Sequence, residues 1–286
     1  MTARGRGRHG WPQLTSGDVV MDGRVALFRN PYGEKFGETD AKCFSAKWSD
    51  PGGISKALSE ASAMEAEAAK STPFAWDPMF GYLSPDPYHM GCGLEIGAVL
   101  HLEGLNLLGE LESALNALPA VRMAVLSDNE DGLRDVAHMF RIRTDSSLGI
   151  AEGELAARAK RLFARLIEAE LNCRRRLVLE DPRILDDSIT RALAILKSAR
   201  LLTKWELADL LSPVRLASGM GFIDGISIEE IDDFIMNQLN NGERRPEAEN
   251  LEEERERDRI DADFADMVNR RFAYVNMNGR ARKELQ

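Results

Sequence analysis

The apolar positions change their period along the chain, from strand-like in the first half to helical in the second. Between Asp18 and Asn30, the residues Val19, Val20, Val25, Leu27 and Phe28 read as a strand interrupted at Gly23. Pro31 to Pro51 carries turn residues and few periodic apolar positions, which predicts a loop. Ile54 to Lys70, rich in Ala, Glu and Met, predicts a helix that ends before Pro73. Residues 80 to 94 interleave prolines and glycines with aromatics, the composition of an irregular loop. Ile96 to Leu102 reads as the strand that leaves it. Gly104 to Leu118 returns to helical spacing through Leu107, Leu108, Leu111 and Leu115, and Val121 to Leu126 and His138 to Arg143 read as two further strands.

From Glu152 onward the period is helical throughout. Leu155, Ala159, Leu162, Leu166 and Ala169 form one stripe of a long helix, and a second helix spans about Ile184 to Ala199. Thr203 with Glu206, and Ser227 with Glu230, have the spacing of capping boxes and open two more. After Asn240 the chain is highly charged from Glu243 to Asp263, which predicts one exposed helix, with fraying beyond Asn276. Strands followed by helices define an α+β protein, an antiparallel sheet flanked by α-helices with a helical C-terminal half.

A length of 286 residues favours one large or two small domains, and 44% hydrophobic residues suffice for a sizeable core. Acidic residues outnumber basic ones by 47 to 37, a net charge of −10, which argues against a general nucleic-acid binder. No apolar run reaches the roughly 20 residues of a membrane-spanning helix. Met1 to Gly10 is Arg/Gly-rich and lacks the apolar core of a signal peptide, so a soluble cytoplasmic protein is expected. Residues 1–17 read as a disordered basic arm. Cys43, Cys92 and Cys173 are widely spaced, as are the four histidines, and the sequence proposes neither a disulfide framework nor a metal site.

Several short motifs, taken in order, resemble one family. Gly81-Tyr82-Leu83, Pro87, Gly91, Gly93-Leu94 and His101-Leu102 resemble the loop-and-strand signature of the ATP:guanido phosphotransferases, in particular the bacterial protein arginine kinases. Val19-Val20 through Arg24 to Arg29-Asn30 is similar to the family's arginine-bearing first strand. Ser147-Leu148-Gly149 resembles its turn before the long helix, and Leu211 to Leu216 with Gly221-Phe222-Ile223 resembles a later segment. The resemblance implies a guanido kinase catalytic-like, glutamine-synthetase-like domain over 18–240, shortened between 31 and 79, with a charged helical tail over 241–286. It also implies ATP with Mg²⁺ as cofactor, a protein partner or protein substrate, and a homodimer.

In-line phosphoryl transfer spreads negative charge over equatorial oxygens, so its site needs a cradle of cations and a carboxylate that orients the guanidinium. On the resemblance, Arg24, Arg29 and Arg122 are the candidate nucleotide contacts. Other positions depart from the pattern: Ala26 stands for the second arginine of the strand, Asp86 for the loop cysteine with Cys92 nearby, His89 for an asparagine, and Glu95 for a phosphate-facing arginine. One unit pair at about 4 Å is worth roughly 4 kcal/mol at an effective dielectric near 20, so the reversal at Glu95 weighs heavily against ATP there. The family's acidic catalytic motif has no counterpart in Pro31 to Met79, where Glu60, Glu65 and Glu67 read as a solvated helix face. No catalytic residue is therefore assigned, and the expectation is a pseudokinase with a regulatory or protein-binding role. An active arginine kinase with a rearranged site and a phosphoarginine-binding adaptor are the alternatives.

Glu256-Arg257-Asp258-Arg259-Ile260-Asp261-Ala262 resembles a phosphoarginine-binding motif, with Asp261 in place of its last arginine; on the resemblance Arg257 would meet the phosphoryl group and Asp258 the guanidino group. An exposed helix laced by i, i+4 pairs accounts for the same residues. His101 is expected to be a half-buried, satisfied histidine, Trp205 and Phe222 core residues, and Arg174-Arg175-Arg176 a match to the negative end of a helix dipole.

Overall fold

Val25, Leu27, Ile96, Ala98, Leu100, Phe140 and Ile142 line one buried side of a sheet, as alternation along each strand requires. A computed structural model of the chain describes residues 14–32, 41–125, 136–240, 251–279 and 281–285. The expected basic arm falls on residues 1–17, of which 1–13 lie outside the described residues; Ser16–Asp18 form a 3-10 turn. The first half contains β1 (Val20–Arg29), β2 (Lys42–Trp48), α1 (Ile54–Ala69) and a small ribbon of β3 (Trp76–Asp77) and β4 (Gly81–Tyr82). It continues with β5 (Leu94–His101), α2 (Glu103–Leu107), α3 (Leu111–Leu115), β6 (Met123–Val125) and β7 (Met139–Thr144). The second half contains α4 (Glu152–Leu179), α5 (Pro182–Ser198), α6 (Lys204–Gly219), β8 (Ile223–Asp224) and α7 (Ile228–Asn240). It ends with α8 (Leu251–Phe272), β9 (Asn276–Met277) and α9 (Ala281–Glu284). The main sheet has five strands in the order β2-β1-β5-β7-β6, each neighbouring pair antiparallel, so the fold is α+β as expected.

Three elements depart from the sequence reading. The segment read as a loop contains β2, whose Ala46 and Trp48 point into the core while Cys43, Ser45 and Lys47 point out. The helix expected over Gly104 to Leu118 breaks into α2 and α3, because Gly109 adopts a φ of 70° between them. The chain beyond Asn276 is packed: β9 pairs with β8, and Ala281 and Leu285 are buried. The charged segment does form a helix over Leu251–Phe272, but Ala265, Val268 and Phe272 on its inner face are buried. Residues 241–250 lie outside the described residues. The cap at Ser227 is complete, with the Glu230 amide donating to Ser227 Oγ at 3.2 Å and the Ser227 amide to Glu230 Oε2 at 2.9 Å.

Two apolar cores result. One lies between the sheet, α1 and the first turns of α4, and includes Trp48 tilted against Phe163 at 5.0 Å. The other gathers α5, α6, α7, α8 and α9 around the end of α4. Phe222 is fully buried in it and Trp205 packs against it, as expected of core residues.

A buried polar network joins the cores. Glu170 on α4 accepts the Gly104 and Leu105 amides at 2.8 Å each, which satisfies the exposed donors at the start of α2. It also accepts Arg174 Nε at 2.6 Å, and both side chains have 0% exposure. Arg174 donates onward to the Asp18 carbonyl at 3.1 Å and to His101 Nδ1 and the His101 carbonyl at 3.2 Å each. From the other core, Arg215 donates to the same Asp18 carbonyl at 2.8 Å and clasps the Asp232 carboxylate at 2.6 and 3.0 Å. Ser212 gives its proton to Glu103 at 2.7 Å, so His101 Nε2, 2.9 Å away, is the donor to Ser212. Burial, together with the Arg215 and Arg174 charges, holds the His101 imidazole well below its usual pKa, and it is neutral. His101 is thus fully buried rather than half-buried. Arg174, expected to serve the helix dipole, is instead one half of an internal ion pair; Arg176 pairs with Glu110 and Glu180 at the surface.

Candidate functional site

One face of the sheet packs on α1 and α4, and the opposite face carries polar side chains. Residues directly opposite one another across antiparallel strands share a face. The register therefore sets out one row across four strands, Lys47, Arg24, Gly97 and Arg143, followed by Ala124 on β6. The adjacent row contains Ser45, Ala26 and Glu95. Arg24, which the resemblance assigned to nucleotide phosphate, projects from β1 with more than half of its side chain exposed. Its carboxylate partner is Asp22 at 3.5 Å, which Lys47 also approaches at 3.3 Å.

Glu95 is the centre of a second cluster. Arg143 donates to Glu95 Oε2 at 2.6 Å, and His89 Nε2 lies 3.1 Å from the same oxygen. Burial alone would raise the Glu95 carboxyl, but hydrogen bonds from His89 and Arg143, with the Arg143 charge, hold it below the usual carboxylate range. The other nitrogen of His89, Nδ1, is 3.3 Å from Asp86, and its ring stacks on Phe28 at 3.7 Å and 9°. Asp86 itself caps a short turn by accepting the Tyr88 amide at 2.9 Å. The Arg143 guanidinium lies 5.3 Å from the centre of the Tyr88 ring, which is half exposed. Asp86, His89 and Glu95, three departures noted in the sequence, are thus brought together. Arg143 was not singled out in the sequence; a β-strand with arginines at alternate positions, Arg141 and Arg143, was the available signal.

Arg29 does not face the open side. Its guanidinium is 1% exposed and lies 3.7 Å over the Tyr82 ring. It donates to Glu65 at 2.5 Å, to the Phe28 and Cys92 carbonyls at 3.0 Å each, and to Glu152 at 3.2 Å. These bonds tie β1, α1, α4 and the loop before β5, so Arg29 braces these elements. Glu65, expected on a solvated face, is the partner that α1 supplies to it. Glu60 and Glu67 do lie on the exposed side, paired with Lys56 and Lys70. Arg122 sits in the left-handed region at φ 57° and donates to the Leu148 carbonyl at 3.0 Å.

The thiols offer no nucleophile of lowered pKa. Burial raises Cys92 and Cys43, and burial with the Glu110 and Glu170 charges pushes Cys173 up to about 12. On α8, Arg257 is half-buried and Asp258 exposed. Among the described residues no group of three or more His, Cys, Asp or Glu side chains is placed to hold a metal ion, and no helix is long and apolar enough to cross a membrane.

Comparison with known proteins gives this face a context. Residues 49–173 match the model of the ATP:guanido phosphotransferase C-terminal catalytic domain, and residues 182–281 match that of the protein-arginine kinase McsB C-terminal domain. Most of the chain between residues 49 and 281 is thus similar to the catalytic and C-terminal domains of this family of kinases. The protein-arginine kinase of Clostridium kluyveri is 35% identical over 161 residues, 55% of this chain and 47% of that one. Those of Exiguobacterium sp. and Bacillus cereus are 28% identical over 183 residues (64% and 53% of the two chains) and 29% identical over 174 (61% and 49%). The chain spans about half the length of these curated relatives. The solved duplicated taurocyamine kinase from Schistosoma mansoni aligns over 63% of this chain and 37% of that one, at TM-score 0.43 and 12% identity, a likeness too slight to bear on the site.

Proposed function

We propose that this chain is a guanido phosphotransferase scaffold with impaired phosphoryl transfer, a pseudokinase whose remaining role is regulatory binding of a protein partner, as a homodimer. One observation carries the reading. Where the resemblance puts a phosphate-facing arginine, the chain has the Glu95 carboxylate, clamped by Arg143 and His89 and held ionised. Its neighbour across the strand is Ala26, where the resemblance puts the second arginine. Over that row the residues present do not fit an ATP phosphate chain with Mg²⁺. The test is ³¹P NMR of the chain incubated with ATP, Mg²⁺ and free or peptidyl arginine. No acid-labile phosphoramidate is expected, and its appearance would restore the reading of an active arginine kinase.

A second reading is favoured by the match of residues 182–281 to the protein-arginine kinase C-terminal domain, which includes α8. There Arg257 and Asp258 hold a phosphoarginine side chain, the cation on its phosphoryl end and the acid on its guanidino end. Fluorescence titration with a phosphoarginine peptide tests it; unchanged binding by Arg257→Ala refutes it.

A further inference from the structure

β2 closes one side of the five-stranded sheet, and its 7 residues form an uninterrupted edge. Lys42–Trp48 contains neither proline nor glycine, and its register with β1 runs without a shift. Which of its backbone groups face outward follows from the neighbouring strand. The Phe28 amide donates to the Gly93 carbonyl at 2.8 Å, so Phe28 turns its backbone groups toward the β5 side. Backbone direction alternates along a strand, so Arg29, Leu27 and Val25 turn theirs toward β2. Their partners Lys42, Phe44 and Ala46 therefore bond to β1, and Cys43, Ser45 and Lys47 present their N–H and C=O groups at the free edge. Among the described residues nothing bonds to these edge groups, and all three side chains are exposed on the open face.

An unpaired edge is a template for another strand. Here the outward set is symmetric about Ser45, which makes the edge complementary to itself. Antiparallel pairing about a two-fold axis at Ser45 sets Ser45 opposite Ser45 of a second copy, and Cys43 opposite its Lys47. All the outward amides and carbonyls of the three residues then have partners. An axis at Phe44 or Ala46 would leave Lys47 or Cys43 without a partner inside the strand. On the core side Phe44 falls opposite Ala46 of the second copy, an apolar pair that continues the inward-facing row, and no lysine faces a lysine.

We propose that β2 seats a second copy of this chain, paired edge to edge about Ser45, so that two five-stranded sheets become one. The inference rests on the homodimer of the proposed function and names the surface that forms it. The two-fold axis of such a pair stands perpendicular to the sheet, so the open faces of both copies, each with its Glu95 cluster, look the same way. A protein partner with two epitopes then engages both faces, which raises avidity without a new contact. Strand pairing alone buries little surface, so the dimer dissociates in the roughly micromolar range or above.

Sedimentation equilibrium of the full chain and disulfide trapping test it together. Residues in a hydrogen-bonded antiparallel pair have Cα atoms about 5.5 Å apart, within reach of a disulfide. Ser45→Cys in a Cys43→Ser background is expected to form an interchain disulfide under mild oxidation, with residue 45 linked to residue 45 in the peptide map. Lys47→Cys in that background is expected not to, because its two copies stand roughly 14 Å apart. Lys47→Cys in the parent chain, which retains Cys43, is expected to link residue 47 to residue 43. Ser45→Pro removes an outward donor and leaves the bonds to β1 intact, so it is expected to fold and to dimerise about tenfold or more weakly. If it does not fold by circular dichroism, the disulfide pattern decides alone. Unchanged affinity in folded Ser45→Pro, or a residue-45 disulfide no faster than one at residue 47 in the Cys43→Ser background, overturns the β2 interface and leaves the homodimer standing. A chain that stays monomeric up to submillimolar concentration overturns both.

Discussion

Replacing Arg174 with methionine keeps most of the side-chain volume and removes its charge from a place with no solvent. Glu170 would keep its two amide donors at 2.8 Å but lose the guanidinium at 2.6 Å. The Asp18 carbonyl would lose one of its two arginine donors and keep Arg215, and His101 Nδ1 would lose the Arg174 donor. Breaking a buried ion pair by removing one partner costs about 3–5 kcal/mol, a large share of the roughly 5–15 kcal/mol total stability of a folded chain. With a urea slope near 3 kcal/mol per molar, the unfolding midpoint falls by about 1 to 1.7 M. Unfolding followed by far-ultraviolet circular dichroism and tryptophan fluorescence measures this, with Glu170→Leu and the double variant completing the cycle. The double variant is expected to be less destabilised than the sum of the singles by about 1 kcal/mol or more, because neither charge is then left alone. A single Arg174→Met loss below about 1 kcal/mol, or strict additivity, would refute the account of this pair as an internal joint.

Two further outcomes follow from the titrating groups. His101 has a depressed pKa in the fold, so the unfolded chain takes up its proton first, and stability falls as pH drops below about 6.5. The depressed Glu95 carboxyl adds a second loss below about pH 4.3, as the unfolded chain protonates ahead of the fold. His101→Gln is expected to flatten the first decline and Glu95→Gln the second; slopes identical to the parent chain in urea melts across pH would sink the assignments. At pH 8, a maleimide is expected to label exposed Cys43 in the native chain and spare Cys173, whose thiol is both buried and raised to about 12. Fast labelling of Cys173 by mass spectrometry would contradict its burial.

The period of the apolar residues was enough for β1, α1, β5, β7, α4 and α5, because each buries one continuous face, and the capping boxes marked the starts of α6 and α7. β2 was missed because its inward residues are few and its outward ones belong to an edge strand, although Phe44, Ala46 and Trp48 do alternate. The packed end of the chain was missed because α8 is overwhelmingly charged and buries only a narrow stripe. Within the site, the resemblance located Asp86, His89 and Glu95 but gave no hint that Arg143 would answer Glu95. That pairing arises from the β5–β7 register, where Gly97 and not Glu95 faces Arg143, and register is a property of the assembled sheet. Likewise Glu65 lies in a run of helix acids, and only the position of α1 against β1 singles it out for Arg29.

The oxygen that receives both Arg174 and Arg215 belongs to the main chain at Asp18. Substitution at residue 18 changes the side chain and leaves that acceptor in place, so the link is largely indifferent to amino-acid replacement there. A change in chain length is another matter. An inserted or deleted residue between Asp18 and the first pairing of β1 would move the oxygen by a whole peptide while the two arginines, fixed on α4 and α6, stayed where they are. Among homologous sequences the spacing from this carbonyl to β1 should therefore vary less than the identity of the residues that fill it.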